Sequence, residues 1–428
     1  MMFHSSDGPG RRSVRIAQIT PPVAAFFFLA GTEIIQVGPA AALWATPAIL
    51  LAAMLIAWAA ESSQFFIAQG FALAILAWLQ TLPEFAVEAV LAWKQQVPLL
   101  MANLTGALRL LTGLAWPMIY FVAAFFHRRR HGHPLRRIEL ADEHCVEVVG
   151  LLAPLLCFFY IWAKSSLDLL DAGILVALYA AYLAILSRMP PQEHEGVQDL
   201  ELVPRTIVTA RRNRRITAIF GLFIIGGLLI YFCAEPFLGS LLAISLTLGI
   251  PSFVFVQWVA PFVSEFPEKV SAFYWARTVD RSSMALMNMV SSNINQWTLL
   301  AAMLPIVYSI SRGTPSAIPF DSQQELELAM TLGQSLIGML FLVNMELAWW
   351  EAGALFGLWG IQFVFSPLPG GPGIIGFVAT HIHKWVTWVY FGWAAVEFVK
   401  MMTGRRNPKA LRLFAQMWRT HVWRTGVS

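Results

Sequence analysis

Charged residues are scarce in this 428-residue sequence: Asp, Glu, Lys and Arg make up 13% of it, whereas about 25% is typical of soluble domains. Hydrophobic residues account for 57%. A water-soluble particle of this size needs more polar surface than such a chain supplies, so the composition excludes an ordinary soluble globular protein. The 17 Trp residues agree with this, because Trp favours the interfaces of a lipid bilayer. The composition predicts a polytopic membrane protein in contact with the lipid bilayer.

Sequence signatures of metal and cofactor chemistry are also missing. Cys145, Cys157 and Cys233 form neither a CxxC pair nor a Cys/His metal spacing. No HExxH, Walker A, GxGxxG or GxSxG motif occurs. His381 and His383 would point to different faces of a helix, so we expect no zinc site there. The sequence therefore predicts that the protein is not an enzyme and carries no cofactor.

Long apolar segments predict the fold class. A spanning helix needs about 20 mostly apolar residues, and by this measure there are roughly twelve candidates, with 10–12 as the fair range. The candidates are 17–40, 44–61, 65–93, 97–126, 146–163, 167–187, 216–236, 251–276, 284–310, 326–344, 347–366 and 374–400. We expect an all-α polytopic membrane protein.

The basic residues indicate the orientation of these spans. The net charge is +4, and Lys and Arg cluster in short segments, which is typical of orientation signals and not of nucleic-acid binding. An even number of spans puts Arg11, Arg12 and Arg15 on the same side as most other Lys and Arg residues, whereas loops such as 237–250 hold few. The pattern predicts cytoplasmic termini in a bacterial plasma (inner) membrane. No clear signal-peptide cleavage pattern precedes the first span, so we expect that span to be retained.

The spans divide into two halves with related motifs. The third and eighth spans run in opposite directions and carry similar motifs, which is typical of the inverted repeats of transporters. The predicted organisation is a cytoplasmic tail (1–16), a first membrane repeat (17–187), a basic cytoplasmic linker (188–215), a second membrane repeat (216–400) and a basic cytoplasmic tail (401–428).

Each repeat contains a Pro-Glu pair within an apolar segment, Pro83-Glu84 and Pro267-Glu268. Proline removes a backbone hydrogen bond, and a freed carbonyl within the membrane is tolerated only where it is buried in protein or lines a cavity. A carboxylate near the bilayer centre costs about 2.5 kcal/mol or more. Two such sites that meet at the midplane would offer the oxygen ligands that hard cations such as calcium prefer. The paired motifs therefore predict a cation site.

The two motif regions, 76–116 and 257–300, resemble the alpha-repeats of the calcium/cation antiporter superfamily, the sodium/calcium exchanger type. Those repeats pair a Pro-Glu stretch with an Asn-containing stretch on the next span. The resemblance implies a secondary transporter that works by alternating access and exchanges an inorganic cation, calcium first among the candidates, for sodium or protons. It implies cation-binding positions at Thr81, Glu84, Asn103, Ser264, Glu268, Asn288, Ser292, Asn293 and Gln296, with Glu84 and Glu268 as the metal ligands.

The first repeat departs from the family pattern. Ala107, Leu108 and Leu111 stand where the family has polar residues. This leaves open an alternative, a transport-inactive, sensor-like or channel-like membrane protein that keeps the exchanger fold. The oligomeric state is also open.

Further charged residues lie near the motifs. Glu88 lies one helical turn after the glutamate of the first Pro-Glu pair, and Glu265 adds a carboxylate before the second. Arg109 has no counterpart in the family motif, and we expect it to form an ion pair with Glu88, because charges within membranes tend to pair. These three are accessory candidates. Glu346 and Glu351 are expected to form a polar turn between the tenth and eleventh spans.

Overall fold

The computed structural model describes residues 37–66, 77–189, 197 and 200–423. The predicted N-terminal tail and nearly all of the first predicted span lie outside the described residues, as do parts of the third span and of the linker. The described chain is almost entirely helical, with four very short strands.

The helices of the first half are α1 (Ala42–Ser63), α2 (Leu82–Trp93), α3 (Val97–Leu110), α4 (Trp116–His131), α5 (Cys145–Gly150), α6 (Leu152–Ala163) and α7 (Leu169–Leu186). Its strands are β1 (Arg137–Glu139) and β2 (Ser166–Leu167). A π-helical turn, Leu111–Ala115, joins α3 to α4 without interruption.

The linker contains α8 (Leu202–Thr209). The helices that follow are α9 (Arg212–Leu248), α10 (Ser252–Ser264), α11 (Phe266–Arg277), α12 (Ser282–Asn295), α13 (Ala301–Arg312), α14 (Ser322–Leu342), α15 (Trp349–Phe365), α16 (Ile374–Met402) and α17 (Lys409–Met417). The strands are β3 (Ile318–Pro319) and β4 (Glu346–Ala348). A second π-helical turn, Gln296–Leu300, joins α12 to α13.

Helix lengths and composition agree with the predicted fold class. Among the described residues, six helical segments are long and apolar enough to cross a bilayer: Pro39–Ser63, Val97–His131, Asp142–Ala163, Leu169–Leu186, Arg212–Leu248 and Ser322–Leu342. The predicted division of 326–366 into two helices is confirmed by α14 and α15. The protein is an all-α polytopic membrane protein.

One predicted loop is wrong. The segment 237–250 was expected to connect two spans, but α9 continues through Pro236 to Leu248. With 37 residues at about 1.5 Å per residue, this helix is longer than the hydrocarbon core of a bilayer is thick. Near its middle, Glu235 forms an ion pair with Lys94, at 2.5 Å between Nζ and Oε1.

The two Pro-Glu motifs each coincide with a break in a helical span. In the first half, residues 77–80 are helical, Thr81 forms a turn and α2 starts directly after it. In the second half, Glu265 separates α10 from α11 in the same way. Both prolines occupy the first turn of the new helix, where a missing N–H costs nothing because that N–H has no partner within the helix. The prolines therefore fix where each span is broken.

The four strands show that the two halves are inverted. β1 pairs antiparallel with β4, and β2 pairs antiparallel with β3. Within the first half, β1 precedes the α5–α6 span and β2 follows it, so they lie at opposite ends of that span. In the second half β3 precedes α14 and β4 follows it. The strand that precedes the span in one half therefore pairs with the strand that follows the span in the other half. This arrangement requires the two halves to have inverted topology.

Several basic segments meet at the end of the molecule that carries β1 and β4, which we call the basic face. Arg130 at the end of α4 donates to the carbonyl of Thr278, with 2.8 Å between Nη1 and O. Lys409 forms an ion pair with Asp142 at 2.8 Å. The loops after α4 and α11 and the segment after α16 are therefore neighbours.

The predicted polar turn near the tenth and eleventh spans is only partly correct. Glu346 lies in β4, but Glu351 lies in the first turn of α15 and is buried. Arg406, from the segment after α16, forms ion pairs with Glu351 at 2.6 Å and with Glu397 at 2.9 Å. Glu351 therefore fastens the C-terminal segment to the helical core and is not a surface turn residue.

Candidate functional site

The two helix breaks bring four acidic side chains into the protein interior: Glu84, Glu88, Glu265 and Glu268. Each is at most 1% exposed. Glu265 lies within electrostatic reach of the other three. The predicted site glutamates and the predicted accessory glutamates therefore share one buried region, at the point where each broken span restarts.

The amide of Gln296 connects the carboxylates of the two halves. Gln296, the first residue of the second π-helical turn, donates from Nε2 to Glu84 Oε2 at 2.7 Å and to Glu265 Oε1 at 2.6 Å. It thereby connects a carboxylate of the first repeat to one of the second. π-helical turns are frequent at functional sites because they shift side chains out of regular helical register.

Glu268 takes its partners from its own half. Ser292 on α12 donates a hydrogen bond to Glu268 Oε1. Lys269, the next residue, instead pairs with Glu265. Ser264, predicted as a ligand, donates to the carbonyl of Ala260 at 3.1 Å, so its hydroxyl serves the end of α10.

The predicted Asn residues are buried among the same helices. Asn103 donates to Glu88 at 3.1 Å, and Asn293 donates to the hydroxyl of Thr112 at 3.1 Å. Each of these contacts holds an amide whose oxygen has no hydrogen-bond partner of its own.

Two polar residues of the region were not predicted as ligands. Gln80 accepts from Asn288 at 3.3 Å, and Asn295 donates to the hydroxyl of Thr81 at 2.6 Å. Both bonds cross between the halves, from α12 to the break before α2. Both could have been found from the sequence, because each is an amide residue in an apolar span directly beside a predicted site residue.

The two repeats contribute unequally. Counting from Asn103 and Asn288, the positions of Ser292 and Gln296 correspond to Ala107 and Leu111 on the first-repeat side. Glu84 and Glu268 therefore both receive their hydrogen bonds from α12 and the π-helical turn after it. The sequence departures in the first repeat therefore remove side-chain partners from α3 and the π-helical turn that follows it.

The predicted ion pair between Arg109 and Glu88 is wrong. Arg109 pairs with Glu327 on α14, with 2.7 Å between Nη2 and Oε2, and both side chains are at most 1% exposed. Glu327 also accepts from Gln257 at 2.9 Å and contacts His383 at 2.5 Å. Arg109 thus belongs to a second buried polar cluster, and its charge is neutralised there.

Gly106 shows why α3 turns Arg109 away from the site. A Cβ on Gly106 would lie 1.9 Å from the backbone oxygen of Gln257. Only glycine permits this close crossing of α3 and α10. The crossing fixes the rotation of α3, so that Asn103 faces Glu88 and Arg109 faces α14.

The chemistry of the region suits a cation bound by mixed oxygen ligands. Among the described residues, no three His, Cys, Asp or Glu side chains are arranged to hold a metal ion by themselves. Amide oxygens would have to complete any coordination shell. Within the described part of the chain, the following buried oxygen atoms of this region lack a hydrogen-bond partner: Glu84 Oε1, Glu88 Oε2, Asn103 Oδ1, Glu268 Oε2, Asn288 Oδ1, Asn293 Oδ1, Asn295 Oδ1 and Gln296 Oε1.

Comparisons with known proteins agree with the fold and its repeats. The model of the family described as "Sodium/calcium exchanger protein" matches residues 38–188 and 218–367. The solved structure of the H+/Ca2+ exchanger CAX is similar at 29% identity, with a TM-score of 0.78 and coverage of 93% of this chain and 94% of that chain. No curated protein matches the sequence.

Two more distant structures share the fold. YfkE matches at 15% identity with a TM-score of 0.59, over 81% of this chain and 98% of that chain. The sodium-calcium exchanger NCX_Mj matches at 18% identity with a TM-score of 0.51, over 77% of this chain and 98% of that chain.

Proposed function

Because the chain belongs to the sodium/calcium exchanger family, we propose that it is a secondary active exchanger whose transported ion is a divalent cation of the calcium class. The H+/Ca2+ exchanger CAX, similar over nearly the whole length of both chains, supports calcium as the first ion to test. In this proposal Glu84 and Glu268 bind the cation, and a competing monovalent ion returns through the same region.

The observation that carries the proposal is the set of unpartnered oxygens. Buried polar atoms in proteins are almost always hydrogen-bonded. Among the described residues, eight buried oxygens near the two restarting helices lack such a partner. Six to eight oxygens at 2.3–2.6 Å is the shell that calcium prefers. A cation that draws Glu84 and Glu268 together would satisfy atoms that the protein alone leaves unsatisfied.

A cavity whose lining includes charged side chains supports access from the basic face. It has a volume of about 620 Å³ and is lined by residues of α1, α4, α8 and α11, among them Arg130, Arg277 and Ser271. Ser271 follows Glu268 by less than one helical turn and donates to Glu61 at 2.7 Å. In an alternating-access cycle, this cavity would be the route between the site and that face, and the inverted half would supply the opposite route.

Cation flux tests the proposal directly. The purified protein is reconstituted in vesicles, and uptake of radiolabelled calcium is followed against an outward gradient of sodium or protons. We expect Glu84→Gln and Glu268→Gln each to abolish exchange. The matched control is Glu139→Gln, because Glu139 is an exposed carboxylate of β1. Unchanged flux in both site variants would refute the proposed role of the two glutamates.

The second candidate function is a non-transporting protein that keeps the exchanger fold. Its support is that Ala107 and Leu111 offer no polar side chain, so both glutamates take their hydrogen bonds from α12 and the π-helical turn after it. A ligand that binds only the folded state raises its melting temperature. A melting screen against calcium, magnesium, sodium, potassium and pH therefore separates the two. A response to no ion at all would favour the second candidate.

We further propose that the basic face is cytoplasmic and that the membrane is a bacterial plasma (inner) membrane. The positive-inside rule supports this, since Arg136 and Arg137 follow α4, Arg281 follows α11, and Arg405 and Arg406 follow α16. Reporter fusions at the C-terminus test it. A C-terminal alkaline phosphatase that is active outside the cytoplasm would contradict the assignment.

A further inference from the structure

A buried ammonium group lies inside the candidate site. Lys269 directly follows Glu268 in α11 and is 5% exposed. Its Nζ pairs with the carboxylate of Glu265, which is itself 1% exposed. The side chain is close enough to interact electrostatically with Glu84 and Glu268 as well. A positive charge that belongs to the protein is therefore present where the transported ions would bind.

Helix geometry holds this ammonium in place. Glu265 is the turn residue between α10 and α11, and the backbone N–H of Lys269 donates to the carbonyl of Glu265 at 3.2 Å. Residues four apart lie on the same face of a helix, so the two side chains meet without rearrangement. Gln296 fixes the other carboxylate oxygen of Glu265 at 2.6 Å. The pair is held from both sides.

The charge pair is present in only one repeat. Counting from the two site glutamates, Glu265 and Lys269 correspond to Thr81 and Phe85. Thr81 uses its hydroxyl to accept from Asn295. The first half thus has no carboxylate at this position and no ammonium to neutralise one. The second half thus carries both a negative charge and its counter-charge, where the first half carries neither.

From this geometry we propose that Lys269 is a tethered cation: its ammonium group occupies the place beside Glu265 that a free monovalent cation would otherwise take. A lysine ammonium is a compact point charge, and a buried carboxylate needs such a partner. Glu84 and Glu268 then remain for the divalent cation, and no dissociable sodium ion is needed at Glu265. This inference rests on the proposed exchange function, because it assigns the counter-ion specificity of the same site.

Sodium dependence of the melting temperature tests the proposal. The full chain is purified in detergent and melted in sodium chloride or in choline chloride at equal ionic strength. We expect no difference for the wild type. Lys269→Gln leaves the Glu265 carboxylate without its ion-pair partner. Sodium should therefore raise the melting temperature of this variant in a saturable manner. Glu265→Gln/Lys269→Gln removes both charges and should lose that response. A saturable sodium effect on the wild type, or none on Lys269→Gln, would overturn the proposal.

A second measurement remains decisive if Lys269→Gln does not fold. Glu265→Gln leaves the ammonium unpaired beside the divalent site, whereas the double variant leaves no extra charge. Calcium affinity, measured by equilibrium binding of the radiolabelled ion, should therefore be at least about tenfold weaker in Glu265→Gln than in the double variant. Equal affinities would show that the pair is a structural salt bridge only and would overturn the proposal.

The two proposals fail in different ways. If the wild type binds no divalent cation, the exchange function fails, but the sodium response of Lys269→Gln still measures whether Glu265 accepts a monovalent ion. If the wild type binds calcium and Lys269→Gln ignores sodium, only the tethered-cation proposal fails.

Discussion

Replacing Arg109 by Met should destabilise the protein more than replacing both Arg109 and its partner Glu327. Arg109 and Glu327 are fully buried and 2.7 Å apart. Without the guanidinium, the carboxylate stays in the interior with Gln257 and His383 as its remaining neighbours. Removing one member of a buried ion pair typically costs about 3–5 kcal/mol, whereas replacing the whole pair is often neutral.

The cavity left by the substitution adds little to this cost. Met is apolar and of similar length, and the site already includes Met330, whose sulfur lies 3.9 Å from Arg109 Nη1. The lost cation–π contact with Trp258, 5.1 Å from the guanidinium carbon, is worth about 0.5–2 kcal/mol and disappears in the single and the double variant alike. We therefore expect Arg109→Met to cost roughly 2–4 kcal/mol more than Arg109→Met/Glu327→Gln.

The assay is equilibrium unfolding in mixed detergent micelles, with the free energy of unfolding compared in a double-mutant cycle. Arg129→Met is the matched control, because Arg129 is exposed on the basic face, and it should change the free energy by no more than about 0.5 kcal/mol. A coupling between Arg109 and Glu327 within the additivity error of about 0.5 kcal/mol would refute the assignment of this pair.

Three further outcomes are expected. Gly106→Ala should lower the melting temperature markedly, because its Cβ would lie 1.9 Å from a backbone oxygen of α10. The exposed glycine Gly357 of α15, with no described atom near its Cβ, should tolerate the same change; equal melting temperatures for the two variants would contradict the close crossing. Arg406→Ala should increase proteolysis of the C-terminal segment, because Arg406 forms the ion pairs with two buried glutamates. The same change at its exposed neighbour, Arg405→Ala, should not; equal protease sensitivity of the two variants would contradict the role of Arg406 as an anchor. Ser292→Ala should weaken calcium binding without abolishing it, because Glu268 loses one hydrogen bond worth about 1.5–3 kcal/mol. Unchanged calcium affinity would show that Ser292 does not contribute to the site.

The sequence was sufficient for the features that depend on neighbouring residues. Apolar length predicted an all-α membrane fold. The repetition of Pro83-Glu84 as Pro267-Glu268 predicted two related halves. Both depend on local chemistry that can be read without knowing which helices touch. The break of each span at its Pro-Glu pair was not predicted, because the sequence alone showed two continuous apolar segments there.

Partners between distant helices could not be predicted in the same way. Arg109 was assigned to Glu88 because both lie in the first motif region, yet helix rotation at Gly106 directs it to Glu327, more than two hundred positions later in the chain. The end of α9 was also misjudged: the predicted span stops at residue 236, whereas the helix continues through Pro236 to Leu248. A long helix that packs against neighbouring helices tolerates such a proline, since those helices can satisfy the freed backbone groups.

The reciprocal pairing of the four short strands has a consequence for assembly. A fragment that ends in the linker keeps β1 and β2 but lacks β4 and β3, their pairing partners. The backbone groups of β1 and β2 that pair in the full chain are then left without these hydrogen bonds. The missing partners belong to a segment that must insert in the opposite direction. Co-expressed fragments divided between α7 and α8 should therefore co-purify as one particle, and each fragment expressed alone should be degraded. The two halves are complementary parts of a single folding unit.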